Sequence, residues 1–131
     1  MTDHLIPRDV GKFIIENIES IAELEGLLLL SRNPETEYTV KDLAAGLYTD
    51  QQQAEVVLEH LHSTGFLAAA GKEITAYRYE PGSPELSKMV TRMSEVYSQY
   101  LIPVTNLIHS ASQTKVQKFA DAFKLRKEVD E

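Results

Sequence analysis

Between Thr39 and Tyr79 the sequence signals two helix starts and then a hairpin, and this order constrains the fold more than any other feature of the chain. Thr39 can cap a short helix from Val40 to about Tyr48, with Asp42 at the third helical position, where a carboxylate reaches back to the cap. A break follows at Tyr48-Thr49. Thr49 is then expected to cap a second helix, with Gln52 three residues on completing a threonine-x-x-glutamine capping box. Ala54, Val57, Leu58 and Leu61 supply the buried stripe of that helix, and Gly65 is its expected stop. Phe66 to Ala70, Gly71-Lys72 and Glu73 to Tyr79 read as strand, tight turn, strand. Ile74, Ala76 and Arg78 would share one face of the second strand, and Thr75, Tyr77 and Tyr79 the other.

Long helical segments flank this core. From Pro7 to Ser31 the apolar residues Val10, Phe13, Ile14, Ile18, Ile21, Leu24 and Leu28 recur at steps of three and four, with Glu16, Glu19 and Glu23 between them. The segment becomes apolar all round at Leu27 to Leu30, which predicts that its end lies inside the core. Gly26 weakens that helix but permits another backbone to come close. After the boundary Pro81-Gly82-Ser83-Pro84, Ser83 can cap a third long helix with Pro84 at its first position. Leu86, Met89, Val90, Met93, Val96, Tyr97, Tyr100 and Leu101 keep helical spacing. Pro103 predicts a kink or restart, after which Val104, Leu107 and Ile108 continue the pattern to about His109. A last helix is expected from Ser112 to about Lys127, with Val116, Phe119, Ala120 and Phe123 on one face. The expected organisation is a winged-helix unit over residues 1–83 and a helical dimerisation or partner region over 84–131.

Composition narrows the function classes. With 131 residues, 43% of them hydrophobic and 25% charged, the chain can bury a core of its own. It has no cysteine, which excludes disulfides, thiol catalysis and zinc-cysteine sites. No apolar h-region follows the first residues, and apolar runs such as Leu27 to Leu30 are far short of a membrane span of ~20 residues. A soluble cytoplasmic protein with no membrane contact is the expectation. The net charge of −7 argues against a surface built entirely for nucleic acid.

The residues Thr39-Val-Lys-Asp-Leu-Ala44, Leu47, Ala54, Val57-Leu58, Leu61 and Gly65-Phe-Leu67 resemble the helix-turn-helix core of bacterial winged-helix regulators. The resemblance extends over Ile21 to Tyr79, and the long flanking helices are similar to those of MarR-type regulators. It implies a mainly α winged helix (helix-turn-helix plus two-stranded β-hairpin) that regulates transcription as a homodimer with paired terminal helices. It also implies that the second helix of the motif enters the major groove, its N-terminal residues at base edges. Gln51, Gln52 and Gln53 would then read bases, since glutamine can bond adenine through two hydrogen bonds. Lys41, Lys72 and Arg78 would contact phosphates. The hairpin lacks the acid-arginine pattern of MarR-type wings.

The local charge opposes DNA. Residues 33–71 carry Lys41 against Glu35, Glu37, Asp42, Asp50, Glu55 and Glu59, a sum of −5, whereas affinity for DNA rests largely on neutralised phosphates. The alternative is a winged helix that binds protein, docking through residues 40–64 or through the basic segment 115–127. Met89, Met93, Val96, Tyr97, Tyr100, Leu101 and Leu107 form the expected homodimer seam, because the 84–109 segment is more apolar than one face of a small domain requires. Tyr77, Tyr79, Tyr97 and Tyr100 are read as core packing with hydroxyls reaching outward. His60 and His62 lie on different helix faces, and neither has a carboxylate three or four residues on, so no metal site is expected. No nucleophile elbow or glycine-rich phosphate loop is present, and neither an enzyme nor a cofactor is expected.

Overall fold

A computed structural model describes residues 5–114. Its elements are α1 (Arg8–Asn17), α2 (Ile21–Arg32), β1 (Tyr38–Thr39), α3 (Val40–Leu47), α4 (Gln51–Ser63), β2 (Leu67–Ala70), β3 (Ala76–Tyr79) and α5 (Pro84–Gln99). A further helix, α6, runs from 101 to 114, where the described residues end. The expected helix from Ser112 to Lys127 lies almost wholly outside them. Residues 112–114 continue α6 without the break placed before Ser112.

The first expected helix is two. Ile18 adopts an extended conformation, and Ser20 caps α2 by accepting the Glu23 N–H at 3.1 Å. The three-four spacing runs across this break because Ile18 stays buried even though the chain has turned. α2 is the centre of the core. Leu24, Leu27, Leu28 and Leu30 are completely buried, and α3, α4 and β3 all pack on it. Gly26 makes the close approach that its lack of a side chain allows, since a Cβ there would lie 3.0 Å from Val57 Cγ1 on α4.

Thr39 and Asp42 form a reciprocal capping box at the start of α3, each side chain accepting the other's backbone N–H at 3.1 Å. The next cap differs from expectation. Asp50, not Thr49, opens α4, accepting the Gln53 N–H at 2.7 Å. Thr49 instead donates its hydroxyl to the Gln53 side-chain carbonyl at 2.5 Å. Asp50 wins because a carboxylate is a stronger acceptor than a hydroxyl at the positive end of a helix.

The hairpin is antiparallel, with Leu67 opposite Tyr79 and Ala70 opposite Ala76. This register leaves residues 71–75 as its tip, in place of the tight turn expected at Gly71-Lys72 and the strand expected to begin at Glu73. Gly71 has φ +88°, and a Cβ there would collide with the Ile74 carbonyl oxygen. β1 adds a third strand, Tyr38 opposite Tyr77 and Thr39 opposite Ala76, so the expected two-stranded hairpin is part of a sheet ordered β1-β3-β2.

Ser83 caps α5 as expected, with Pro84 at its first position. The helix ends at Gln99, and Pro103 stands in the first turn of α6, where its missing N–H costs little. α1 lies along α5, tied to it by an Arg92–Asp9 ion pair. Phe13 of α1 meets Phe66 edge to face, with ring centres 5.9 Å apart. One apolar core runs from Ile6 through α2 and α4 to Val104 and Ile108. Among the described residues no helix is long and apolar enough to cross a membrane.

Candidate nucleic-acid interface

The helix-turn-helix is α3, the turn at Tyr48 to Asp50, and α4. Leu43 and Ala44 on α3 and Ala54, Val57, Leu58 and Leu61 on α4 are buried, which locks the two helices together and orients the remaining face of α4 outward. Gln51, Gln52 and Gln53 are all exposed on the first turn of α4. Gln53 is engaged by Thr49, which leaves Gln51 and Gln52 as the two glutamines without a hydrogen bond inside the turn's Thr49–Gln53 pair. Further along the same helix, Glu55, Val56 and Glu59 are also exposed.

The cations expected at phosphates come from three separate elements. Lys41 stands exposed on the first turn of α3, and Lys72 is exposed at the hairpin tip. Arg78 is half-buried on β3 and pairs with Glu80 at 3.2 Å, so part of its charge is already answered. All six acids of the 33–71 stretch are exposed. The N-terminus of α3 is closed by the Thr39 hydroxyl together with the Asp42 carboxylate, and that of α4 by the Asp50 carboxylate, where an uncapped helix would offer N–H groups to a phosphate.

Sequence reasoning missed Tyr48. It sits in the left-handed region at φ 56°, between the two helices, with 97% of its surface exposed. The break at Tyr48-Thr49 is the signal available, since the three-residue connection from α3 to α4 turns through one residue of positive φ and no glycine is there to supply it. The exposure of Val56, at 60%, was also unread.

The tyrosines behave as packing residues. Tyr97 donates its hydroxyl to Glu25 at 2.6 Å, and burial together with that carboxylate pushes its pKa up to about 12. Burial raises Tyr79 as well, against a lowering contribution from Ser87. Tyr77 lies against the His62 ring, with centres 5.3 Å apart. Of the expected seam residues, Met93 and Tyr97 are buried within their own chain, and Met89, Val96 and Leu107 pack half-buried against the same core. Tyr100 is half-buried, and Leu101 is 54% exposed.

The structure also assembles a group that no local pattern announced. His60, in the last turn of α4, meets Glu23 of α2 and Glu19 of the α1–α2 link. Nδ1 is 2.6 Å from Glu23 Oε1 and Nε2 is 3.4 Å from Glu19 Oε1. Burial pushes the Glu23 carboxyl up, while His60 pulls it back down. The carboxylates expected to be lacking around His60 come from 37 and more residues away rather than from its own helix.

The sequence matches no family model and no curated protein. Two solved structures are similar. The adhesin competence repressor of Streptococcus pyogenes shares 18% identity with 88% of each chain covered and a TM-score of 0.50. A MarR family protein from Bacillus stearothermophilus shares 19% identity over 98% of this chain and 87% of its own, with a TM-score of 0.48. The first likeness shows that the chain has a winged-helix fold with long flanking helices, as its residues led one to expect.

Proposed function

We propose that the chain is a transcription regulator that binds DNA as a homodimer in the cytoplasm. The observation that carries this reading is the exposed first turn of α4, where Gln51 and Gln52 stand clear on a helix-turn-helix scaffold with a hairpin beside it. In this reading Gln51, Gln52 and Gln53 address bases in the major groove, and Lys41, Lys72 and Arg78 hold the phosphates. The similar Streptococcus structure is named a repressor, and the same role is proposed here. The terminal helices form the dimer seam, with Leu101 and its neighbour Ile102, 67% exposed, at its surface. A dimer places two copies of α4 on two half-sites, which doubles the few cations that each copy offers.

The test is a mobility shift on random-sequence DNA at ~50 mM salt, followed by selection of the bound fraction. Retarded complexes and an enriched sequence with two-fold symmetry are expected. No shift at micromolar protein would overturn DNA binding by the free protein.

A second reading has its own observation. Glu55 and Glu59 stand on the outward face of α4, and the 33–71 stretch presents six exposed acids against one lysine. Such a surface suits a basic protein partner better than a phosphate backbone. A failed DNA shift together with retention of a dimer would favour this reading.

A further inference from the structure

The group at His60 gathers one imidazole and two carboxylates from α4, α2 and the α1–α2 link. We propose that His60 Nε2 and the Glu19 carboxylate bind a divalent first-row transition ion, zinc being the simplest case, with Glu23 as the residue that positions the imidazole. The three donor atoms lie within 4.8 Å of one another. They do not have equal parts in the site, and the difference follows from burial and distance.

Glu23 is 3% exposed and its Oε1 is 2.6 Å from Nδ1. That separation is a short hydrogen bond and is too close for two ligands of one ion. A buried carboxylate in this position accepts the Nδ1–H, which fixes the tautomer and leaves the Nε2 lone pair free to bind. On the other side of the ring, Nε2 and Glu19 Oε1 are 3.4 Å apart. Two ligands each roughly 2.0–2.1 Å from a tetrahedral ion are separated by about that distance. The Glu19 side chain is 59% exposed and that of His60 27%, so water can reach the ion and complete its coordination. A lone surface carboxylate beside a histidine would lack this arrangement. Here the ring is held from behind by a carboxylate that the core has already enclosed.

The donor chemistry selects the ion. An imidazole nitrogen with one carboxylate oxygen suits zinc and its neighbours, whereas magnesium and calcium require oxygen ligands throughout. The bound ion would join the α1–α2 link to the end of α4. The site is independent of whether α4 binds DNA.

The experiment titrates zinc into the full chain against a chromophoric chelator, and cobalt in parallel, read by its visible absorption. One ion per chain is expected, together with a change in the ¹⁵N shift of His60 Nε2 but not of His62. Glu19→Gln, at an exposed position that leaves the fold intact by circular dichroism, should weaken binding at least tenfold. His60→Gln should abolish it. Glu23→Gln should weaken it by roughly 10–100-fold, the usual effect of removing a carboxylate behind a ligating histidine. An excess of magnesium should not compete. Absence of one-to-one zinc binding at ~0.1 mM would overturn the proposal. So would binding that survives both Glu19→Gln and His60→Gln, which would place the ion at another histidine.

Discussion

Tyr97 of α5 donates its phenolic hydroxyl to the Glu25 carboxylate of α2 across 2.6 Å, a bond between residues 72 apart in sequence. Tyr97 is 8% exposed, so this bond closes a largely buried contact between the terminal helices and the core helix. Tyr97→Phe removes the donor but keeps the ring. It should cost about 1.5–3 kcal/mol, the range for a hydrogen bond to a charged group, read by urea unfolding.

The same bond fixes a pH response. The Tyr97 pKa is raised to about 12 from the ordinary 10.0, so its contribution is fully present below about pH 10 and lost as pH rises through 12. Thermal melts should therefore show stability falling over this alkaline window, with a smaller fall in Tyr97→Phe. Ultraviolet titration of phenolate should show a tyrosine ionising near pH 12 in the parent that is absent in the variant.

Gly71→Ala should disturb the hairpin tip. Both the positive φ and the Ile74 carbonyl oppose a side chain there. The expected cost is about 1–3 kcal/mol, measured by thermal unfolding, and it should be larger than that of Gly65→Ala, where nothing lies within 4 Å of the added carbon.

Surface charge on α4 can be changed without touching the core. Glu55→Gln with Glu59→Gln should raise affinity for DNA and leave the melting temperature nearly unchanged. Lys41→Ala should weaken binding on all sequences and reduce the slope of log affinity against log salt by about 1. Gln51→Ala with Gln52→Ala should instead flatten the preference among sequences. Fluorescence anisotropy across a salt series separates the two effects. A slope unmoved by Lys41→Ala would remove that residue from the phosphate contacts.

The proposed dimer is tested at the exposed end of its proposed seam, Leu101 and Ile102. Leu101→Glu with Ile102→Glu should shift the sedimentation coefficient to that of a monomer and preserve the helical circular dichroism. Met93→Glu should unfold the chain, because Met93 is completely buried within its own core.

The fold was legible where a signal was local. Thr39 with Asp42 and Ser83 with Pro84 each place a structural feature within a few residues of the signal that announces it, whereas Gly26 announced a close approach but not its distant partner Val57. The break before α2 was present too, as Ser20-Ile-Ala-Glu23, a serine-x-x-glutamate start pattern. It was hidden because the burial of Ile18 continues the helical spacing through a non-helical residue. Two-residue β1 has no periodicity to detect, and its strand character exists only because β3 lies beside it. The outward glutamines were readable from their place after a break. The meeting of His60 with Glu19 and Glu23 was not, because only the packing of α2 on α4 brings them together.

Glu23 and Glu25 lie two residues apart on α2, hence on nearly opposite sides of that helix. One grips the end of α4 through His60, and the other grips α5 through Tyr97. α2 is therefore a spindle clamped on both flanks by polar contacts and wedged against Val57 at the Gly26 notch. The terminal helix α5 and the helix that carries the glutamines are thus joined through one helix and two hydrogen bonds.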